Sequence, residues 1–174
     1  MRPLPEGIEV RRAGRDDADS VRRFVRTGIE SYREWAGPDW EVPEPPLERQ
    51  AELRELFAGD EAWILLAFYG DELVGVVSIA PHTGAAAEPP PPGTIYLWQM
   101  FVTPRLQGSG LAVALLDLAV DEARNRGFSR LTLWAAEGAA QARRFYEREG
   151  WTPTGANRMD VPFGLPLVEY ELAL

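Results

Sequence analysis

Two apolar runs in the middle of the chain, Ala62 to Tyr69 and Leu73 to Ala80, stand on either side of Gly70-Asp71-Glu72. β-rich runs around a glycine-bearing break predict a hairpin, because glycine reaches the unusual dihedrals that a tight reversal needs. Upstream, Ile8 to Arg12 alternates apolar and polar residues like a half-buried strand. The helix predicted after it takes Asp16 or Asp17 as its cap and carries Val21, Phe24, Val25 and Ile29 on one face. Pro38, Pro43, Pro45 and Pro46 exclude a regular helix in the connection that follows. Leu47 to Phe57 reads as a second helix, stopped near Gly59.

The second half repeats the same grammar. Thr94 to Val102 is a strand ended by Thr103-Pro104, since proline cannot donate to a ladder. A helix follows a glycine turn, with Ala112, Leu115, Leu116, Ala119, Val120 and Ala123 as its inward face and Gly127 as its stop. Arg130 to Trp134 is a short strand. Ala139 to Glu149 is a helix with Ala142, Phe145 and Tyr146 inward, and Gly150 ends it. Trp151 to Thr154 and Leu167 to Leu172 read as closing strands. His82 to Gly93, with its alanine and proline runs, is a loop and not a domain linker. Strand and helix do not alternate in the first half. The pattern therefore predicts one mixed α/β (α+β) layer domain over residues 1–174, and not a doubly wound parallel sheet.

Composition narrows the chemistry more than the fold. There is no cysteine, which removes disulfides, thiolate nucleophiles and thiolate metal sites. With one histidine, His82, a histidine-rich metal centre is excluded, so no metal is expected. A net charge of −9 argues against nucleic acid as a partner. It would draw in cationic substrates such as amines, or serve solubility alone. No apolar run is long enough to span a membrane. The start, MRPLPEGIEV, lacks the apolar stretch of a secretion signal, which points to a cytoplasmic protein.

The most informative segment joins the Thr94 strand to the next helix: Thr103-Pro104-Arg105-Leu106-Gln107-Gly108-Ser109-Gly110-Leu111-Ala112. Gly108 and Gly110 let a ligand approach the backbone. The first amides of the helix lack internal partners, and the helix dipole adds positive charge there. A pyrophosphate satisfies both. A nucleoside-triphosphate loop would need Lys followed by Ser or Thr where Leu111-Ala112 stands. A dinucleotide fingerprint would need a small residue at Val113 and an acid where Leu133-Trp134 ends the next strand. Neither fits. A tight turn without a ligand is the plain alternative.

Together with its neighbours, the segment resembles the GCN5-related N-acetyltransferase (GNAT) superfamily over roughly Thr94 to Gly155. Met100-Phe101-Val102-Thr103-Pro104 is similar to the family's strand-to-loop passage. Gln107-Gly108-Ser109-Gly110-Leu111-Ala112 matches its acyl-CoA loop pattern. Ala142-Arg143-Arg144-Phe145-Tyr146-Glu147-Arg148-Glu149-Gly150-Trp151 resembles the helix and turn that follow. The resemblance implies a mostly antiparallel central sheet flanked by about four helices, and acetyl transfer from acetyl-CoA to an amine acceptor. It implies that backbone groups of Phe101 and Val102 run beside the pantetheine arm, and that amides of Gln107, Gly108, Ser109, Gly110, Leu111 and Ala112 hold the pyrophosphate. The strands of Phe101 and Trp134 would splay to admit the cofactor. Tyr146 falls where family members carry a tyrosine that protonates the departing thiolate; the other reading is a core aromatic beside Phe145.

Two departures accompany the resemblance. Ala139 stands where many members carry Asn, and Tyr96 where many carry Glu. Glu137, Glu34, Glu41 and His82 are the remaining candidates for a base, each equally readable as a surface residue. Tyr32, Trp35 and Trp40 with Glu41 and Glu44 would line the acceptor side, as a cage for a cationic amine or as a cover for the core. A catalytically silent acyl-CoA sensor or interaction module is the alternative function. A homodimer stays open as an assembly.

Overall fold

The two apolar runs form β2 (Trp63–Tyr69) and β3 (Glu72–Ala80), paired antiparallel. They are almost continuously buried because both faces of the sheet are covered. The computed structural model describes residues 1–81, 90–160 and 162–174. With β1 (Ile8–Arg12), β4 (Thr94–Val102), β5 (Arg130–Ala136), β6 (Thr152–Asp160) and β7 (Leu165–Ala173), the hairpin belongs to a seven-stranded sheet of order β1-β2-β3-β4-β5-β7-β6. Only the β4–β5 pair is parallel; the other neighbours run antiparallel. The mixed architecture matches the sequence pattern.

On one face lie α1 (Ala18–Glu30), the single turn α2 (Arg33–Ala36) and α3 (Leu47–Ala58). Val21, Val25 and Phe57 pack there against Ile64, Leu66, Val76 and Ala80. On the other face α4 (Leu111–Asn125) seals the main core, with Leu111, Leu115 and Ala119 against Val77, Ile79, Ile95 and Leu131. Its inward residues also include Ala114, Leu116 and Ala123, while Ala112 and Val120 are half-exposed. Four of the six expected residues, Leu115, Leu116, Ala119 and Ala123, are thus buried and Val120 packs against the core, while Leu111 and Ala114 join the stripe and Ala112 falls at its edge. Leu111, fully buried, sets the phase of the helix, and an alanine satisfies an apolar pattern without being drawn inward. Asp17 stands at the start of α1 but makes no side-chain cap. Its carboxylate instead accepts from Arg11 and from the Gly14 amide, at 2.8 Å each. The Arg11 guanidinium is the main reason that its proton affinity lies below the usual carboxylate range.

The helix α5 (Ala140–Arg148) is tied to the sheet by Tyr170 of β7. The Tyr170 ring is fully buried; its hydroxyl donates to Glu147 Oε1 at 2.7 Å and accepts from Arg143 Nε at 3.0 Å. Removing that hydroxyl strands both partners. Tyr170→Phe is expected to lose about 1–3 kcal/mol and to lower Tm by roughly 2 to 12 °C in calorimetry. A change under about 1 °C would mean that the network does not hold α5.

Of the loop predicted from His82 to Gly93, residues 82–89, His82 among them, lie outside the described residues.

Candidate functional site

Between β4 and β5 the sheet opens. The two strands pair only at Thr94↔Arg130, Ile95↔Leu131 and Tyr96↔Thr132. Beyond that rung β4 stays with β3 as far as Val102, and β5 stays with β7 as far as Ala136. The register of β4 against β3 slips at Trp98: Leu97 faces Ile79 and Gln99 faces Ser78. Such a bulge bends its strand, and here it sits where the split begins. The Thr103 amide donates to Val74 O at 2.9 Å. Alternation along the strand then points the backbone groups of Phe101 toward β3 and those of Met100 and Val102 into the split. The Phe101 side chain lies against Gly28 of α1, where an added Cβ would come within 2.5 Å of it.

The mouth of the split is the glycine turn. Gly108 and Gly110 have φ of 80° and 91°, a region that L side chains rarely adopt. The amides of Gln107 and Ser109 bond to Pro104 O and Leu106 O, and the Leu111 amide reaches Ser109 Oγ at 3.3 Å. The amides of Gly108, Gly110, Ala112 and Val113 have no hydrogen-bond partner among the described residues. The first turn of α4 contains no acid to compete for them. The turn therefore presents N–H groups and the positive end of a fifteen-residue helix to an anion. Val113 belongs to this group and was not anticipated. Gln107 is tied across to α5 by Gln141, whose amide donates to its Oε1 at 3.1 Å.

Tyr146 projects from α5 among aromatic rings, 5.4 Å from Phe145, 5.7 Å from Trp151 and 6.5 Å from Tyr170 between centroids. Its hydroxyl has no hydrogen-bond partner among the described residues, and it is not among the side-chain oxygens sealed from solvent. Burial pushes the phenol well above the ordinary tyrosine range, and the nearby Tyr32 phenol adds to the effect. Tyr32 is itself raised by burial. It belongs with Trp35, Trp134 and Ala142 to a small cluster around Ala136, Ala139 and Leu167.

A model of the acetyltransferase (GNAT) family matches residues 29–151. The chain belongs to that family. It is 29% identical over 149 residues to the N-acetyltransferase YjgM of Escherichia coli (strain K12), covering 84% of this chain and 83% of that protein. Among solved structures, a GNAT acetyltransferase from Desulfovibrio desulfuricans is 26% identical with TM-score 0.65, covering 95% of this chain and 98% of that one. The acetyltransferase yncA of Salmonella typhimurium, solved with its cofactor acetyl-CoA, shares the fold at TM-score 0.67 and 22% identity, covering 97% and 95%.

In this GNAT-family chain the three candidate bases among the described residues come out as surface groups. Glu34, Glu41 and Glu137 are exposed. Tyr96, which the resemblance set where a family Glu would stand, is buried on the last rung before the split. The acidic cage does not assemble as expected. Glu44 is bound by Arg22 and Arg26, at 3.2 Å and 2.7 Å, and Trp40 donates its indole N–H to Phe163 O. The Trp35 ring packs close against Gly138, leaving no room for an added Cβ there. Trp35 packs with Tyr32, 4.9 Å away between ring centroids, onto Ala136, Ala139 and Leu167. Sequence reasoning also missed Arg158, stacked 4.3 Å over Trp134, and Asp160, whose proton affinity is raised by half-burial. Both lie on β6, a polar strand without an apolar period to announce it.

Proposed function

We propose that residues 1–174 act as one acyltransferase domain that moves the acetyl group of acetyl-CoA to a primary amine of a small molecule or protein. The observation that carries this reading is the conjunction of the β4–β5 split with unpaired amides at its mouth and an unbonded phenol beside it. The chain's groups fit the cofactor. Amides of Gly108, Gly110, Ala112 and Val113 would receive the pyrophosphate, and backbone groups of Met100 and Val102 would pair with the pantetheine arm as a missing strand would. Bound acetyl-CoA supplies an activated acyl group. The residues around it orient the amine, exclude water and manage protons. The amine nitrogen bonds to the acyl carbon as the carbon–sulfur bond breaks. Tyr146, held protonated by burial, gives its proton to the departing sulfur. The proton shed by the nitrogen returns through water and restores the phenol. No metal enters the scheme, and no helix among the described residues is long and apolar enough to cross a membrane.

The test is thiol release from acetyl-CoA in the presence of alkylamines, amino acids, polyamines and peptides with free N-termini. Release with at least one class is expected. CoA binding in calorimetry without release from any of them would favour the silent sensor, a reading supported by the exposure of Glu34, Glu41 and Glu137. Absence of both binding and release would remove the acyl-CoA assignment altogether.

A further inference from the structure

Protein interiors rarely leave polar side-chain atoms unbonded, since each such atom destabilises the fold. Here Ser78 Oγ, Gln99 Oε1, Thr132 Oγ1 and Trp134 Nε1 are sealed from solvent and have no partner among the described residues. Arg22 Nε on α1 and Trp151 Nε1 in the main core are also without partners, but these four are gathered in one place. Ser78 and Gln99 face each other across β3 and β4, Thr132 faces Tyr96 on the last β4–β5 rung, and Trp134 follows two residues on. Side-chain alternation puts them on one face of the sheet. Val76 and Ala80, flanking Ser78, and Phe101, two residues after Gln99, pack with α1 residues, and Trp134 packs with Tyr32 and Trp35. Gln99 on β4 and Thr132 and Trp134 on β5 thus flank the split where it opens, on the face opposite α4, with Ser78 of β3 beside Gln99. Ser78 and Thr132 are 0% and 6% exposed, so neither hydroxyl is a surface group that happens to lack a neighbour.

Gln99 Oε1 can only accept, and the two hydroxyls can accept. A neutral amine entering the split carries N–H donors and one lone pair. We propose that Gln99, with Ser78 and Thr132, is the site that grips the acceptor's amino group. Its N–H bonds go to these oxygens, and its lone pair is thereby aimed at the acyl carbon. This rests on the acyltransferase reading above and completes it: the group is positioned by neutral acceptors on β3, β4 and β5 in place of a carboxylate. As the nitrogen–carbon bond forms and the carbon–sulfur bond breaks, the nitrogen's surplus proton leaves to water, and none of these side chains changes charge.

The test compares Gln99→Met, Ser78→Ala and Thr132→Val with wild type, in melting of the free protein, CoA affinity, and turnover of the amine that wild type uses best in the panel above. Groups reserved for a substrate are surplus to the free fold, so Tm is expected to hold or rise. CoA Kd should stay within about twofold, and kcat/KM should fall at least about tenfold for Gln99→Met. A fall in Tm of more than about 4 °C in all the variants would place these atoms in the fold and overturn the proposal. So would unchanged turnover. If wild type turns over no amine, the acyltransferase reading fails first, and a lowered Tm would still refute the surplus polarity separately.

Discussion

Tyr146→Phe should lower turnover by about two orders of magnitude or more, the range for a lost general acid, with CoA affinity within about twofold of wild type. The phenol oxygen makes no bond among the described residues, so its removal leaves nothing stranded. The ring contacts with Phe145, Trp151 and Tyr170 stay in place, and Tm should move by less than about 2 °C. This separates the acid from a core aromatic, because a structural role would appear in melting and leave chemistry alone. The pH dependence sharpens the test. Burial raises the Tyr146 phenol above its ordinary value, so the wild-type acid stays protonated through pH 6 to 9 and the mutant defect should be constant there. For stability, a folded-state proton affinity above the unfolded one means that the native state holds the proton longer. The contribution is fully present below the unfolded tyrosine pKa of about 10 and is lost as pH rises beyond it. Turnover equal to wild type across that range would end the role assigned to Tyr146.

Gly110→Ala should weaken CoA binding at least about tenfold in calorimetry, while the free protein loses only about 1–2 kcal/mol. Gly110 sits at φ 91°, where an L side chain is strained, and no protein atom lies within 4 Å of the added methyl. The strain lowers Tm by about 2 to 8 °C; the methyl itself meets only what approaches the amides. Gly127 supplies the control. It closes the far end of α4 at φ 82°, also with open space around an added Cβ. Gly127→Ala should show a similar melting loss and wild-type CoA affinity. Equal affinity loss in both variants would assign the effect to the helix and not to a cradle at its start.

The glycine turn was legible in the sequence because backbone conformation there depends on local residues: Pro104 ends the strand, Gly108 and Gly110 take positive φ, and α4 begins at Leu111. Helical spacing with Ala142 and Phe145 placed Tyr146 on α5, and the role given to it came from the resemblance alone. The orphan cluster was not legible. Ser78, Gln99, Thr132 and Trp134 are distant in sequence and ordinary as residue types; only strand register gathers them. The stripe of α4 was legible at Leu115, Leu116, Ala119, Val120 and Ala123 and erred at Ala112, because an alanine satisfies an apolar pattern on either side of a helix. β6 was cut short at Thr154, since an edge strand exposed on nearly all its residues has no alternation to read. The aromatic and acidic residues on the acceptor side were found, but not their use. Arg22 and Arg26 hold Glu44 away from the tryptophans, which no spacing rule reveals.

The sequence by itself determined most of the elements, the mixed layer architecture and the turn at the mouth of the site, because local dihedral limits and apolar periodicity act within a few residues; the family came from the resemblance of three segments. The tertiary structure decided where β4 and β5 part, which backbone groups face the gap and which polar atoms are buried without partners. Those depend on a bulge at Trp98, on pairing between strands far apart in the chain, and on helices packed against both faces of the sheet.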